Sequence, residues 1–231
     1  MIRKIRTLIV AVAALSALGA IASQSAMAGE TYHCPELAAG ATCYVTVEQE
    51  SNQVFTTGGG SVTCKKLHGH GEQVTPSHEL TFEPTYSECT AFGFATTHVT
   101  NNGCHYTFTT PTDTANPAVH TLHSPHVVAT PLKTCSIVIT PTAFGASVCT
   151  QTVGAQTPTS GHLIATNITE PVTTNNYVTA EATVEGIHYI GTGGQCGANG
   201  VTGVDGKYTG NSRVTCFSDA ARTVRTECTI L

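Results

Sequence analysis

The 231-residue chain contains no tryptophan, only two methionines, and 11% charged residues. Each shortage removes a class of function. Without Trp, a flat carbohydrate-binding platform lacks its favoured ring. Ten Lys+Arg against 15 Asp+Glu leave no basic stripe to follow a nucleic acid or an anionic membrane. There is no G-x-S-x-G, no C-x-x-C, no Gly-Lys-Ser/Thr phosphate loop and no dinucleotide fingerprint. The sequence therefore names no nucleophile and no cofactor, and none is expected.

One long apolar run exists, from Leu8 to Ala22, behind Met1-Ile2-Arg3-Lys4-Ile5-Arg6 and ahead of Ala26-Met27-Ala28. A basic start, a short apolar stretch and an A-x-A site predict a secretory signal peptide over 1–28. Gly29 follows, not Cys, so no lipid anchor is expected. Residues 29–231 are expected to form a single all-β domain, with 29–52 set apart as an N-terminal extension. Removing Arg3, Lys4 and Arg6 leaves seven Lys+Arg against 15 Asp+Glu, a net charge of −8. The expected setting is extracellular, with no stable membrane insertion after cleavage. The expected partner is an extracellular ligand or a cell-surface component, and not nucleic acid.

All ten cysteines lie beyond the predicted cut, and an even number in an exported chain reads as disulfides. Cys89 and Cys104 flank a stretch with an Asn101-Asn102-Gly103 turn. Folding Phe94–Thr100 back on Gly103–Thr109 predicts a hairpin stapled by Cys89–Cys104. Cys135–Cys149 is expected from a similar separation, and Cys34–Cys43 and Cys216–Cys228 from closeness in sequence. Cys64–Cys196 is left by exclusion.

Beyond residue 28, helix periodicity is nearly absent and alternation with a period of two recurs. Val178, Ala180, Ala182 and Val184 alternate with Thr179, Glu181 and Thr183. Further strands are read at 43–48, 78–83, 127–129, 136–140, 162–168, 207–217 and 223–230. Threonine, β-branched and stiff, suits such half-buried surfaces. Pro-Thr pairs at 84–85, 111–112, 141–142 and 158–159 are read as turns at strand ends. Thr90-Ala91-Phe92-Gly93 reappears as Thr142-Ala143-Phe144-Gly145, a duplicated hairpin or a coincidence of composition. Gly191–Gly210 is read as a long inter-strand loop held by Cys196. These features predict an antiparallel β-sandwich or barrel stabilised by disulfides.

Five segments carry a resemblance: Gly58–Cys64, Pro84–Gly93, Asn101–Phe108, Val184–Tyr189 and Gly206–Gly210. Across roughly Phe55 to Asp219 the chain resembles a group of secreted, cysteine-containing β-proteins of soil actinobacteria. The resemblance implies an exported all-β domain. It carries no activity and no catalytic residues.

Eleven histidines are the chemical surplus of the chain. His120, His123 and His126 are the densest group and the metal-ligand candidates, with His68-Gly69-His70 second. On one strand, 120 and 126 would share a face and 123 would point away, which argues against a site. Glu72, Glu79, Glu83 and Glu88 are the only carboxylate cluster that could serve a glycosidase, and their pattern reads as a solvated face. Tyr86, Phe92, Phe94, Tyr106 and Phe108 crowd one region, with Tyr106 and Phe108 on one buried strand face. The resulting expectation is a secreted, non-catalytic β-protein with a binding or surface-structural role. The alternatives are a secreted hydrolase assembled from distant loops and a His-based metal-binding protein.

Overall fold

The computed structural model describes residues 31–93, 95–109, 120–122, 124–129, 135–143, 145–158, 160–169, 176–193, 196, 200 and 202–230, with backbone alone at 120–122, at 124–129 and at His162. Among them there is no helix. The strands are β1 (Tyr32–His33), β2 (Thr42–Gln49), β3 (Gln53–Thr57), β4 (Gly60–Val74), β5 (Glu79–Ala91) and β6 (Ala95–Asn102). Then come β7 (Cys104–Thr109), β8 (His120–Leu122), β9 (Ser124–Ala129), β10 (Ser136–Ala143), β11 (Ala146–Ser147) and β12 (Thr150–Gly154). The chain ends with β13 (Ser160–Thr169), β14 (Asn176–Thr192), β15 (Thr202–Phe217), β16 (Arg225–Thr226) and β17 (Thr229–Ile230). All pairings are antiparallel.

Four long strands, β4, β5, β14 and β15, run through two stacked halves. In the lower half, β3–β4–β5–β6–β10–β12–β14–β15 closes on itself through the β15–β3 pairing, an eight-stranded ring. Closure leaves no edge there, and eight strands enclose room for side chains or one small ligand. In the upper half, β2 takes the place of β3 between β15 and β4, while β7 replaces β6 on β5 and β13 replaces β12 on β14. Each half has its own apolar core. Within the 29–52 segment, β2 belongs to this sheet, between β15 and β4.

The long strands change face as they pass between halves. On β4, Val62 and Cys64 are buried below, Leu67 and Gln73 above. On β5, Leu80 and Phe82 are buried above, Cys89 and Ala91 below. The switch falls at Lys65 and Glu88, which drop out of the β4–β5 ladder, and Glu88 takes φ 53°. On β14, Val178 to Val184 alternate inward as the sequence predicts, and the phase shifts at Gly186, φ 70°. A residue with positive φ in a strand is a bulge that re-aims the side chains beyond it.

The structure corrects several expectations. The expected hairpin does not form: β6 and β7 succeed one another along the same edge of β5. Gly103, φ 74°, makes a kink. Asn101 fills the interrupted ladder, its Nδ2 donating to the carbonyls of Pro84 (3.2 Å) and Cys104 (2.8 Å) while its Oδ1 accepts from Cys104 N (2.8 Å). Pro84 and Pro141 lie inside β5 and β10 and end neither. Pro84 sits where β5 changes neighbour, a gap that tolerates a residue without N–H. The glycine-rich stretch is strand from Thr202 onward, where β15 begins. The 223–230 run is two short pieces, β16 and β17.

The disulfides are Cys34–Cys43, Cys64–Cys89, Cys104–Cys135, Cys149–Cys196 and Cys216–Cys228. The first and last match the sequence expectation. Cys89–Cys104, Cys135–Cys149 and Cys64–Cys196 do not form. Cys64 stands directly opposite Cys89 on the β4–β5 ladder. Ser136 pairs with Asn102, which brings Cys135 to Cys104. Both contacts result from ladder register and not from nearness along the chain.

Candidate functional site: the cavity of the lower ring

The lower ring encloses a cavity of about 80 Å³. Its wall is aliphatic and aromatic: Phe55, Val62, Val99, Ile137, Ile139, Val153, Val184 and Ile187 are among the side chains that line it. These come from strands of the ring, and alternation points them inward. Pro158, between β12 and β13, lines it as well.

The roof separates the two cores and is made of Tyr86, Tyr106, Tyr208 and Gln53. The Tyr86 hydroxyl donates to the Tyr106 hydroxyl at 2.9 Å. The Tyr208 hydroxyl donates to Gln53 Oε1. Gln53 Nε2 donates to the carbonyls of Ser51 (2.9 Å) and Asn211 (3.0 Å), which locks the carboxamide. Gln53 is 2% exposed and fits only because residue 210 is glycine, where a Cβ would stand 2.0 Å from Gln53 Oε1. Tyr106 and Tyr208 meet edge to face, centroids 6.4 Å apart.

Burial raises all three phenols. Tyr86 is pushed well above its ordinary value by desolvation and then by the neighbouring Tyr106 and Tyr208. Desolvation carries Tyr106 to about 12 against the lowering effect of the Tyr86 hydrogen bond. Tyr208 is raised by desolvation and then by Tyr106. The rings are only half-buried by surface because part of that surface lines the cavity. The hydroxyls are therefore neutral hydrogen-bonding groups across the physiological range.

A tied polar cluster lies in the lower half outside the cavity lining. Gln151 Nε2 donates to Thr57 Oγ1 (3.1 Å) and to the Cys196 carbonyl (2.9 Å). Nearby, Asp205 accepts from Gly58 N (2.7 Å) and from the Tyr189 hydroxyl (3.0 Å). The Tyr189 phenol is raised by desolvation and by this Asp205 contact. Gly203 makes room for the Tyr189 ring, whose nearest atom would lie 2.4 Å from a Cβ there.

The candidates read from the sequence lie elsewhere. Glu72, Glu79 and Glu88 stand on the outside and Glu83 is half-buried on that outer face, with Glu88 paired to Lys66. They converge on no cleft. His120 is in β8, paired with β13, and His126 in β9, paired with β7, so the two do not belong to one strand. His123 and the side chains of His120 and His126 lie outside the described residues. Among the described residues, the one group of three gathered metal-ligand atoms is Cys34, Cys43 and Cys216, all in disulfides. Tyr106 and Phe108 share the cavity face, as their spacing predicts. Gln53 and Tyr208 were not foreseen: they meet across 155 residues, and no local pattern joins them.

No known protein family, no curated protein and no solved structure matches the chain. No described helix is long and apolar enough to cross a membrane.

Proposed function

We propose that the chain is an exported, non-catalytic binding protein. It holds a small, largely apolar extracellular molecule with one hydrogen-bonding group inside the lower ring. One observation carries the reading. The residues lining the cavity include no Asp, Glu, His, Lys or Arg, and Cys64 is in a disulfide. What they offer is apolar wall plus three neutral phenols and a carboxamide at one end. General acid–base and nucleophilic catalysis need a group that ionises near the working pH, and this wall has none. An apolar wall with a few fixed polar groups is the make-up of a binding pocket. An apolar cavity of roughly 150 Å³ in another protein stays dry and takes benzene. The present one is smaller and suits a short aliphatic chain whose polar end reaches the tyrosines. The five disulfides support an oxidising, extracellular setting.

The test uses the tyrosines as reporters, since no tryptophan masks their emission. Aliphatic alcohols from butanol to octanol are titrated against the purified protein. A saturable change in tyrosine emission, abolished in the cavity-filling variant Val153→Phe, is expected. Absence of saturation across the series would remove the proposal.

A further inference from the structure

We propose that the outer face of β2, β4 and β5 binds one divalent transition-metal ion through His68 and His70, with Glu48 and Glu83 as carboxylate ligands. The site is independent of the cavity and lies on the other side of the sheet. His68 and His70 stand two apart on β4, so both imidazoles leave the same face. Burial agrees: Leu67, Gly69 and Gln73 are turned inward, whereas His68 and His70 are exposed. Gly69 secures this phase, because the Phe82 ring fills the space where its Cβ would be, 2.7 Å away.

The register supplies the carboxylates. Glu48 of β2 is directly opposite His68, and Glu83 of β5 is directly opposite His70. Directly opposed residues in an antiparallel pair have Cβ atoms roughly 5 Å apart. Glu48 Oε1 already lies 3.9 Å from His68 Nδ1. The four donors thus form a quadrilateral over three strands, two imidazoles in the middle and a carboxylate on each flank. In the structure these donors stand apart, and rotation of exposed Glu48, His68 and His70 and of half-buried Glu83 closes them on an ion. Three cations around the site are engaged: Lys66 pairs with Glu88, Arg213, opposite Glu48, lies 3.7 Å from the Tyr177 ring centroid, and Arg222 donates to the carbonyls of Val45 (3.2 Å) and Gly71 (3.1 Å). Two imidazoles with carboxylates select zinc, copper or nickel over calcium or magnesium.

Zinc and nickel chloride are titrated by calorimetry into the untagged protein. One ion per chain is expected. Its affinity should fall by at least an order of magnitude in His68→Ala and in His70→Ala, and by less in Glu83→Gln. Both histidines are exposed, so circular dichroism of the variants should match the parent. His98→Ala, exposed on β6, should bind as the parent does. No binding, or binding retained in the His68→Ala/His70→Ala double variant, overturns the site. So does loss of binding in His98→Ala.

Discussion

The two halves of the sheet share four strands yet solve the problem of an interior differently. The upper half is filled. Phe82 stacks on Phe108 at 5.9 Å, meets Tyr106 edge to face at 5.6 Å, and lies over Gly69. The cavity described there is about 20 Å³. Two disulfides bring the sulfurs of Cys34, Cys43 and Cys216 within 4.8 Å of one another. The lower half is a closed ring whose wall residues stop short of the axis, leaving about 80 Å³ under a tyrosine roof. A chain that can pack Phe82 so closely above could have packed below. The difference marks the lower half as the one with room for a guest.

The sharpest break of this comparison is Phe82→Ala. Phe82 is 6% exposed, and its loss opens the space over Gly69 in the filled half. Truncating a buried phenylalanine costs about 3–5 kcal/mol. The urea midpoint should fall by a corresponding amount. A change below about 1 kcal/mol would show that the upper core is not the tightly packed half.

Next in size is the staple Cys64–Cys89, which crosses β4 and β5 where they change face. Its sequence separation is 25. In the chain-entropy account a loop of that size stabilises by about 3 kcal/mol. The double variant Cys64→Ala/Cys89→Ala should lose stability on that scale. Non-reducing peptide mapping of the parent should recover Cys64–Cys89 and Cys104–Cys135, and a Cys89–Cys104 peptide would contradict the ladder register.

Alkaline pH acts most strongly on the roof. Folding raises the phenols of Tyr86, Tyr106 and Tyr208, so the folded chain holds these protons more tightly than the unfolded one. Below pH 10 both states are neutral there and the stability is fully present. As pH rises from 10 toward about 12, where Tyr106 ionises, the unfolded chain releases protons first and stability is lost. For Tyr106 alone the loss is about 2–3 kcal/mol. Urea midpoints across this range should fall, and Tyr106→Phe should flatten the fall. By tyrosinate absorbance the roof phenols should ionise above the ordinary phenol range.

How far the sequence foretold this comparison depends on the range of each signal. Val178 to Val184 was legible because a period of two holds there without a break. The paired faces of β4 and β5 were not, because the phase flips at Lys65 and Glu88, and a flipped phase reads as no phase. Asn101-Asn102-Gly103 was read as a hairpin turn, since a glycine of positive φ serves a kink equally well. Gly203, Gly206 and Gly210 looked like a loop because their purpose is the volume of Tyr189, Ile187 and Gln53, residues brought near only by the fold. The cysteine count declares the disulfides, but Cys64–Cys89 and Cys104–Cys135 obey ladder register, which is non-local, and Cys149–Cys196 joins positions 47 residues apart outside the strands. The cavity was invisible for the same reason: its roof joins β3, β5, β7 and β15.

The smallest expected effect is also the most direct comparison of the halves: add carbon to each. Val153 lines the cavity and is 5% exposed, so Val153→Ile places a methylene where there is space. Each buried methylene contributes roughly 0.8 kcal/mol when it meets a void. Val47, in β2 of the upper core, is 1% exposed and lines neither cavity, so Val47→Ile forces a methylene into filled space. Such overpacking costs about 1–3 kcal/mol. Val153→Ile should therefore be neutral or stabilise by less than about 1 kcal/mol, while Val47→Ile destabilises. The pair is measured as two urea midpoints at one pH. If both substitutions destabilise alike, the lower ring has no usable room. The filled and open halves would then be one continuous core, and a guest in the lower ring would have no place to sit.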